Sequence, residues 1–237
     1  VRDYGDGLVE VGYSSVQYLP REPKPESDPK EKDTETETER LQRCQNNLAR
    51  SVRRSKAQAR RKCMAGGLDH LLTLTYKENR TDEKQCYRDL TRFVRLVRER
   101  YKGWKYLAVH EFQERGAVHF HLAVRGFQDV RYLRSCWLRV VGLGNIDVRA
   151  PRSRGASRWQ LPKLAQYLTK YITKNATTAN ARQRYRVSEG IEIPEKTIIL
   201  RVHRWVDFVA ETFDSLGATC RHHWKPDDGP YGWACSW

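Results

Sequence analysis

The run YLTKYITK, Tyr167 to Lys174, repeats one small unit twice, a tyrosine with a lysine three residues later. A phenol with its ordinary pKa of about 10 is a poor nucleophile at neutral pH. A neighbouring ammonium favours the phenolate and also neutralises an approaching phosphate. Tyr167 with Lys170, and Tyr171 with Lys174, are therefore candidate nucleophile–cation pairs. The same residues also suit a plain amphipathic helix. Positions 161, 164, 165, 168 and 172 are all apolar and fall on one side of a helix. Both tyrosines then sit at the edge of that buried stripe, one turn apart, with Lys163, Lys170 and Lys174 beyond them. On these residues alone the two readings stand side by side.

A second group can do chemistry. In AVHFHLAV alternate side chains of a strand share a face, so His119 and His121 point one way and Val118, Phe120, Leu122 and Val124 the other. The preceding strand, WKYLAVHEF, is joined to it by Glu114-Arg115-Gly116, which suits a type I turn closed by a glycine bulge. That register sets Gln113 across from Ala117 and Glu111 across from His119, with Cβ atoms of opposed residues about 5 Å apart. Two imidazoles and a carboxylate with open positions suit Mg²⁺ or Mn²⁺, and zinc also fits chemically. A slip of one residue would substitute His110 and send Glu111 into the core. An HxH strand taken alone is equally compatible with an exposed polar face.

Charge narrows the partner class. The 237-residue chain carries a formal net charge of +15, and residues 1–40 hold eleven acidic against six basic side chains. The positive excess therefore lies wholly beyond position 40, which points to a polyanion such as nucleic acid. The basic segments 43–62 and 152–158 are candidate contacts, in particular Arg53, Arg54, Arg152, Arg154 and Arg158, with Lys163 on the tyrosine helix. No stretch of eighteen apolar residues occurs, which excludes a membrane-spanning helix, and VRDYGDGLVE lacks the basic-then-apolar order of a secretory signal. Six cysteines without a CxxC pair read as reduced thiols.

The elements that must position these residues follow from periodicity. Residues 1–40 form an N-terminal segment in which LVEVGYSSVQYLP suggests a short hairpin and Pro20 to Arg40 an acidic, Pro-rich flexible linker. Residues 41–65 read as a basic helix with a thin apolar stripe at Leu41, Cys44, Leu48 and Val52. From Gly66 the order is strand (LLTLTY), helix (TDEKQCYRDLTRFVRLVRERYKG, capped by Thr81 or Asp82), two strands, helix (DVRYLRSCWLRVV), strand (NIDVRA) and the tyrosine helix. The first six match a split βαβ, an α+β ferredoxin-like antiparallel sheet with helices packed on it, spanning residues 66–200. IEIPEKTIILRV suggests a further strand, and residues 201–237 a C-terminal segment with a helix in HRWVDFVAETFDSLG.

LLTLTY, then VHFH preceded by Glu111, then YLTKYITK resemble the three ordered motifs of HUH endonucleases that initiate rolling-circle replication. The doubled tyrosine-lysine unit is most similar to the two-tyrosine branch found in single-stranded-DNA phages, including initiators encoded by filamentous phages. The resemblance covers roughly residues 66–176. It implies that His119, His121 and Glu111 bind Mg²⁺ or Mn²⁺, with Glu111 the most variable ligand. It also implies that Tyr167 and Tyr171 are nucleophiles paired with Lys170 and Lys174. The expected activity is nicking of single-stranded origin DNA, presented as a hairpin or an exposed strand, through a 5′-phosphotyrosine link with a free 3′-OH, and later rejoining. The absence of a GxxxxGK[ST] motif leaves strand separation to a host helicase or to supercoiling. A host polymerase would extend the 3′-OH, in the cytoplasm of a bacterial cell. A transposase or relaxase of the same superfamily is the alternative within the class. A non-catalytic ferredoxin-like nucleic-acid-binding module is the alternative outside it, although the RNP aromatic signature is missing.

Overall fold

The computed structural model describes residues 1–5, 8–12, 36–149, 160–174, 184–196, 204–217, 222–224 and 232–236. Two short strands, β1 (Arg2–Asp3) and β2 (Leu8–Gly12), precede the long basic helix α1 (Glu37–Ala65). The central part then runs β3 (His70–Tyr76), α2 (Glu83–Arg100), β4 (Tyr106–Phe112), β5 (Val118–Val124), α3 (Val130–Val141), β6 (Gly144–Arg149) and α4 (Gln160–Lys174). Strand β7 (Arg186–Val187), helix α5 (Trp205–Leu216), β8 (His222–Trp224) and β9 (Gly232–Ser236) follow.

The sheet order is β6-β3-β5-β4-β7, and each adjacent pair is antiparallel. Its first four members are the split βαβ arrangement expected from the element order, with β7 added at the β4 edge. The helices begin and end where the sequence provides caps. The Asp82 carboxylate accepts from the Gln85 amide at the start of α2, the Asp129 carboxylate accepts from the Arg131 and Tyr132 amides at α3, and α3 stops at Gly142. One face of the sheet supplies Leu72, Leu74, Phe120 and Leu122 to a core shared with Phe93, Val97 and Trp137 of α2 and α3. The other face supplies Leu71, Leu107, Val109 and Ala123 to a second core closed by Ala59 and Cys63 of α1 and Ala165, Leu168 and Ile172 of α4. Cys63, Cys86 and Cys136 are buried free thiols and Cys44 an exposed one.

Three expectations change. Helix α1 starts at Glu37 rather than near 41, because Thr36 and Glu39 form a reciprocal capping box at the end of the stretch read as a linker. Residues 20–35 of that stretch lie outside the described residues. The apolar stripe of α1 is only partly used: Val52 is buried, but Leu41 and Leu48 are exposed, because α1 packs on α4 through its C-terminal half. The N-terminal hairpin is replaced by a second sheet of order β1-β2-β9-β8. Leu8, Val9, Glu10 and Val11 are all buried, so β2 needs partners on both edges and takes β1 and β9. The strand read in IEIPEKTIILRV does not form over Ile191–Lys196, where Pro194 offers no backbone donor. Residues 197–200 lie outside the description. The helix read near the C-terminus is α5.

The buried carboxylate of Glu10 links the second sheet to α1. It accepts from Arg60, from Arg61 Nε at 2.8 Å and from Arg2 at 3.5 Å. Burial alone would push this carboxyl up, but Arg60 and Arg61 outweigh it and hold it below the ordinary range. Glu10→Ala leaves the buried Arg60 guanidinium without its carboxylate and is expected to destabilise the chain by about 3–5 kcal/mol. Urea unfolding measures this, and a loss under about 1 kcal/mol would show that the ion group does not hold α1 in place.

Candidate active site on the sheet and the tyrosine helix

The β4–β5 hairpin takes the register expected of its turn. The Gln113 amide donates to the Ala117 carbonyl at 2.9 Å, the Gly116 amide to the Gln113 carbonyl at 2.8 Å, and Glu111 stands across from His119. Gly116 has φ 83°, a conformation that glycine adopts without steric cost. Val118, Phe120, Leu122 and Val124 are buried in the α2/α3 core, so the two histidines face α4.

On that face the side chains form one connected group. His121 Nε2 lies 3.0 Å from Glu111 Oε2, and its Nδ1 lies 3.3 Å from the Thr73 hydroxyl of β3. Lys174 Nζ donates to the other Glu111 oxygen at 2.7 Å. The Tyr171 ring stacks on the His121 imidazole, with centroids 4.2 Å apart and planes inclined by 12°. The Tyr171 hydroxyl donates to the Tyr167 hydroxyl at 2.6 Å. Tyr167 in turn meets His121 edge-on at 6.3 Å. Glu111, His121, Tyr167, Tyr171 and Lys174 are thus brought together from β4, β5 and α4.

The tyrosines are not equivalent. Both were expected at the edge of the buried stripe, yet Tyr171 is 8% exposed and Tyr167 is 36% exposed. A one-turn step along α4 rotates Tyr171 over the sheet, where His121 covers it. Lys163 and Lys170 stand exposed on α4, and among the described residues Lys170 is not bonded to Tyr167. Arg53 and Arg54 are exposed on α1, while Arg152, Arg154 and Arg158 lie outside the described residues. The sequence reading placed Thr73 on the polar face of its strand but gave it no role. Its bond to His121 could have been anticipated from the antiparallel pairing of LLTLTY with VHFH.

Electrostatics follow the burial. Burial lowers the pKa of both histidines below the ordinary value. The neighbouring His121 and Arg115 charges add to this at His119, whereas the Glu111 carboxylate partly offsets it at His121. Burial opposes ionisation of Glu111 as well, but Lys174 and His121 outweigh it and its pKa is lowered. Burial raises the Tyr171 phenol far above its usual range, reinforced by its bond to Tyr167. Glu111 holds Lys174 more firmly protonated.

The donor set has the chemistry of a divalent-ion site. Neutral imidazoles and an ionised carboxylate are the protonation states that ligation requires, and His119 Nε2 is buried without a hydrogen-bond partner. Both points fit a hard cation. As the side chains stand, Glu111 is closed onto His121 and Lys174, and among the described residues no three His, Cys, Asp or Glu side chains are gathered around one point.

An antiparallel sheet of five strands with helices packed on it is consistent with an HUH-like ferredoxin-like fold. Residues 69–176, which run from β3 through α4 and contain every site residue just described, match the replication-associated protein family of the ORF2 type. The match supports a replication initiator and is consistent with an endonuclease role. No curated protein and no solved structure matches the chain. Among the described residues no helix is long and apolar enough to cross a membrane.

The lowered histidine pKa values have a measurable consequence. In the metal-free chain both imidazoles should titrate by NMR with midpoints below about 6.5. Because the folded pKa lies below the unfolded one, the unfolded chain binds more protons in that interval. Stability should therefore fall as pH drops from about 6.5 through the folded midpoints. Glu111→Gln removes the charge that offsets burial at His121 and should lower its midpoint further. A midpoint at or above the ordinary value would show that His121 is solvated and charged.

Proposed function

We propose that this chain starts rolling-circle replication by nicking single-stranded origin DNA with a tyrosine, and that it later rejoins the strand. The observation that carries this reading is the contact of the two α4 tyrosines with the His121–Glu111 pair. A phenolic oxygen, a carboxylate and an imidazole meet there beside the Lys174 ammonium. In the reaction the tyrosine oxygen bonds to phosphorus and the bond to the 3′-oxygen breaks. The products are a 5′-phosphotyrosine and a free 3′-OH. The phenol gives up its proton and the departing 3′-oxygen takes one up, so the step conserves the phosphodiester and reverses for joining.

Tyr167 acts first in this scheme. It is the exposed member of the pair, and the hydrogen bond runs toward its oxygen, so negative charge forming there meets the Tyr171 hydroxyl. Tyr171, buried and held well above the usual phenol range, is the reserve nucleophile for a second transfer. Lys174, bonded to Glu111, supplies positive charge at the tyrosine pair. Glu111, His119 and His121 would hold Mg²⁺ or Mn²⁺, which when bound polarises the phosphate. The endonuclease unit would span residues 66–200, with the segments 1–40, 41–65 and 201–237 as additions. A host helicase would open the duplex and a host polymerase would extend the 3′-OH.

The test is a denaturation-resistant adduct between the chain and single-stranded origin DNA in Mn²⁺. Tyr167→Phe should reduce the first adduct by about 100-fold or more, equivalent to about 2.7 kcal/mol of barrier. Tyr171→Phe should leave the first adduct and impair the second transfer. An adduct that persists when both tyrosines are phenylalanine would sink the assignment.

A further inference from the structure

Helix α4 lies over β4 and β5, while the side chains of edge strand β6 on the same face, Asn145, Asp147 and Arg149, are exposed. The register continues the site outward in rows. Asn145 stands beside Thr75, which stands beside His119; Asp147 stands beside Thr73, which stands beside His121. Arg149 is one step further along, beside Leu71. Adjacent strands are about 4.8 Å apart, so β6 is about 10 Å from the histidine strand and a long side chain spans much of that gap.

Arg149 is held in place by its own strand. Its Nε lies 2.8 Å from Asp147 Oδ2. That leaves the Nη edge of the fork, the edge suited to bidentate contact with a phosphate. The guanidinium is close enough for its charge to disfavour protonation of His121 and to favour the Tyr171 phenolate. On the helix side Lys174 is committed to Glu111, and Lys170 is not bonded to Tyr167 among the described residues. The sheet side therefore offers a cation toward the tyrosines that the helix side does not.

We propose that Arg149 is a phosphate-binding residue, seated by Asp147, that takes a backbone phosphate of the DNA strand beside Tyr167, along the exposed ledge of β6. This rests on the reading of the chain as a tyrosine nickase. An exposed ion pair two residues apart adds next to nothing to stability, so the effect of losing Arg149 is to be read in DNA chemistry.

Two measurements on the full chain test it. The first is binding of a single-stranded oligo-dT as a function of salt. Arg149→Ala, with an unchanged melting temperature, should reduce the slope of log K against log salt by about 0.7, the share of one phosphate contact on a single strand. Arg149→Lys should keep the slope. The second is the rate of adduct formation at saturating DNA, using the oligonucleotide that the wild-type chain selects from a random single-stranded pool in Mn²⁺. Arg149→Ala should lower this rate about tenfold or more. An unchanged slope overturns the proposal whether or not the chain nicks DNA. A reduced slope with no adduct from the wild-type chain upholds the phosphate contact and removes the nicking reading instead.

Discussion

Gly116, at a φ of 83°, closes the turn between β4 and β5, and the geometry of that turn decides which side chains share a face with the tyrosine helix. With Glu111 across from His119, the polar residues at 111, 119 and 121 face α4, and the apolar residues at 118, 120, 122 and 124 enter the α2/α3 core. A slip of one residue would exchange these sets, placing Phe120 and Leu122 toward α4 and three ionisable groups in a dry core. The cost of burying those groups unpaired, several kcal/mol in total, fixes the register more firmly than any single hydrogen bond of the hairpin. The site thus borrows its precision from the core behind it.

Helix α4 is bound by the same logic from the other side. Leu161, Ala165, Leu168 and Ile172 are buried against α1 and the sheet, and this fixes the rotation of the helix about its axis. Once the rotation is fixed, the 100° per residue of an α-helix sets the difference between Tyr167 and Tyr171. Four residues advance the helix by slightly more than one turn, and that small excess carries Tyr171 under cover while Tyr167 stays at the rim. Two tyrosines that look identical in the sequence therefore have different access to water and different tendencies to ionise.

Most of this frame was legible in the sequence because it rests on short-range rules. Alternation identified the sheet faces, glycine at 116 identified the turn, and Asp82 and Gly142 marked helix ends that the structure keeps. What failed depended on contacts distant in sequence. The pairing of Leu8–Gly12 with Gly232–Ser236 joins the two ends of the chain, and no local pattern announces it. The partial use of the α1 stripe reflects where α4 ends against it, not the apolar residues of α1 themselves. The assignment of Lys170 to Tyr167 assumed that spacing along a helix is proximity in space. Lys170 lies on the solvent side of α4, and only Lys174 reaches Glu111.

Glu111 is where the competing demands of the site meet. Its two oxygens are divided between Lys174 and His121, so in this arrangement the carboxylate neutralises the helix cation and also orients the imidazole. A divalent ion held by Glu111 and the histidines would draw on the same oxygens, and the hold on Lys174 would weaken as the ion took charge from the carboxylate. Loosening Lys174 releases an ammonium 5.4 Å from the centre of the Tyr171 ring, on the side where a phosphate would bring negative charge. The ion pair that closes the site in its absence thus keeps two buried imidazoles and a strong cation compatible within one small volume. Without Glu111, Lys174 would face the neutral histidines with nothing to offset its charge.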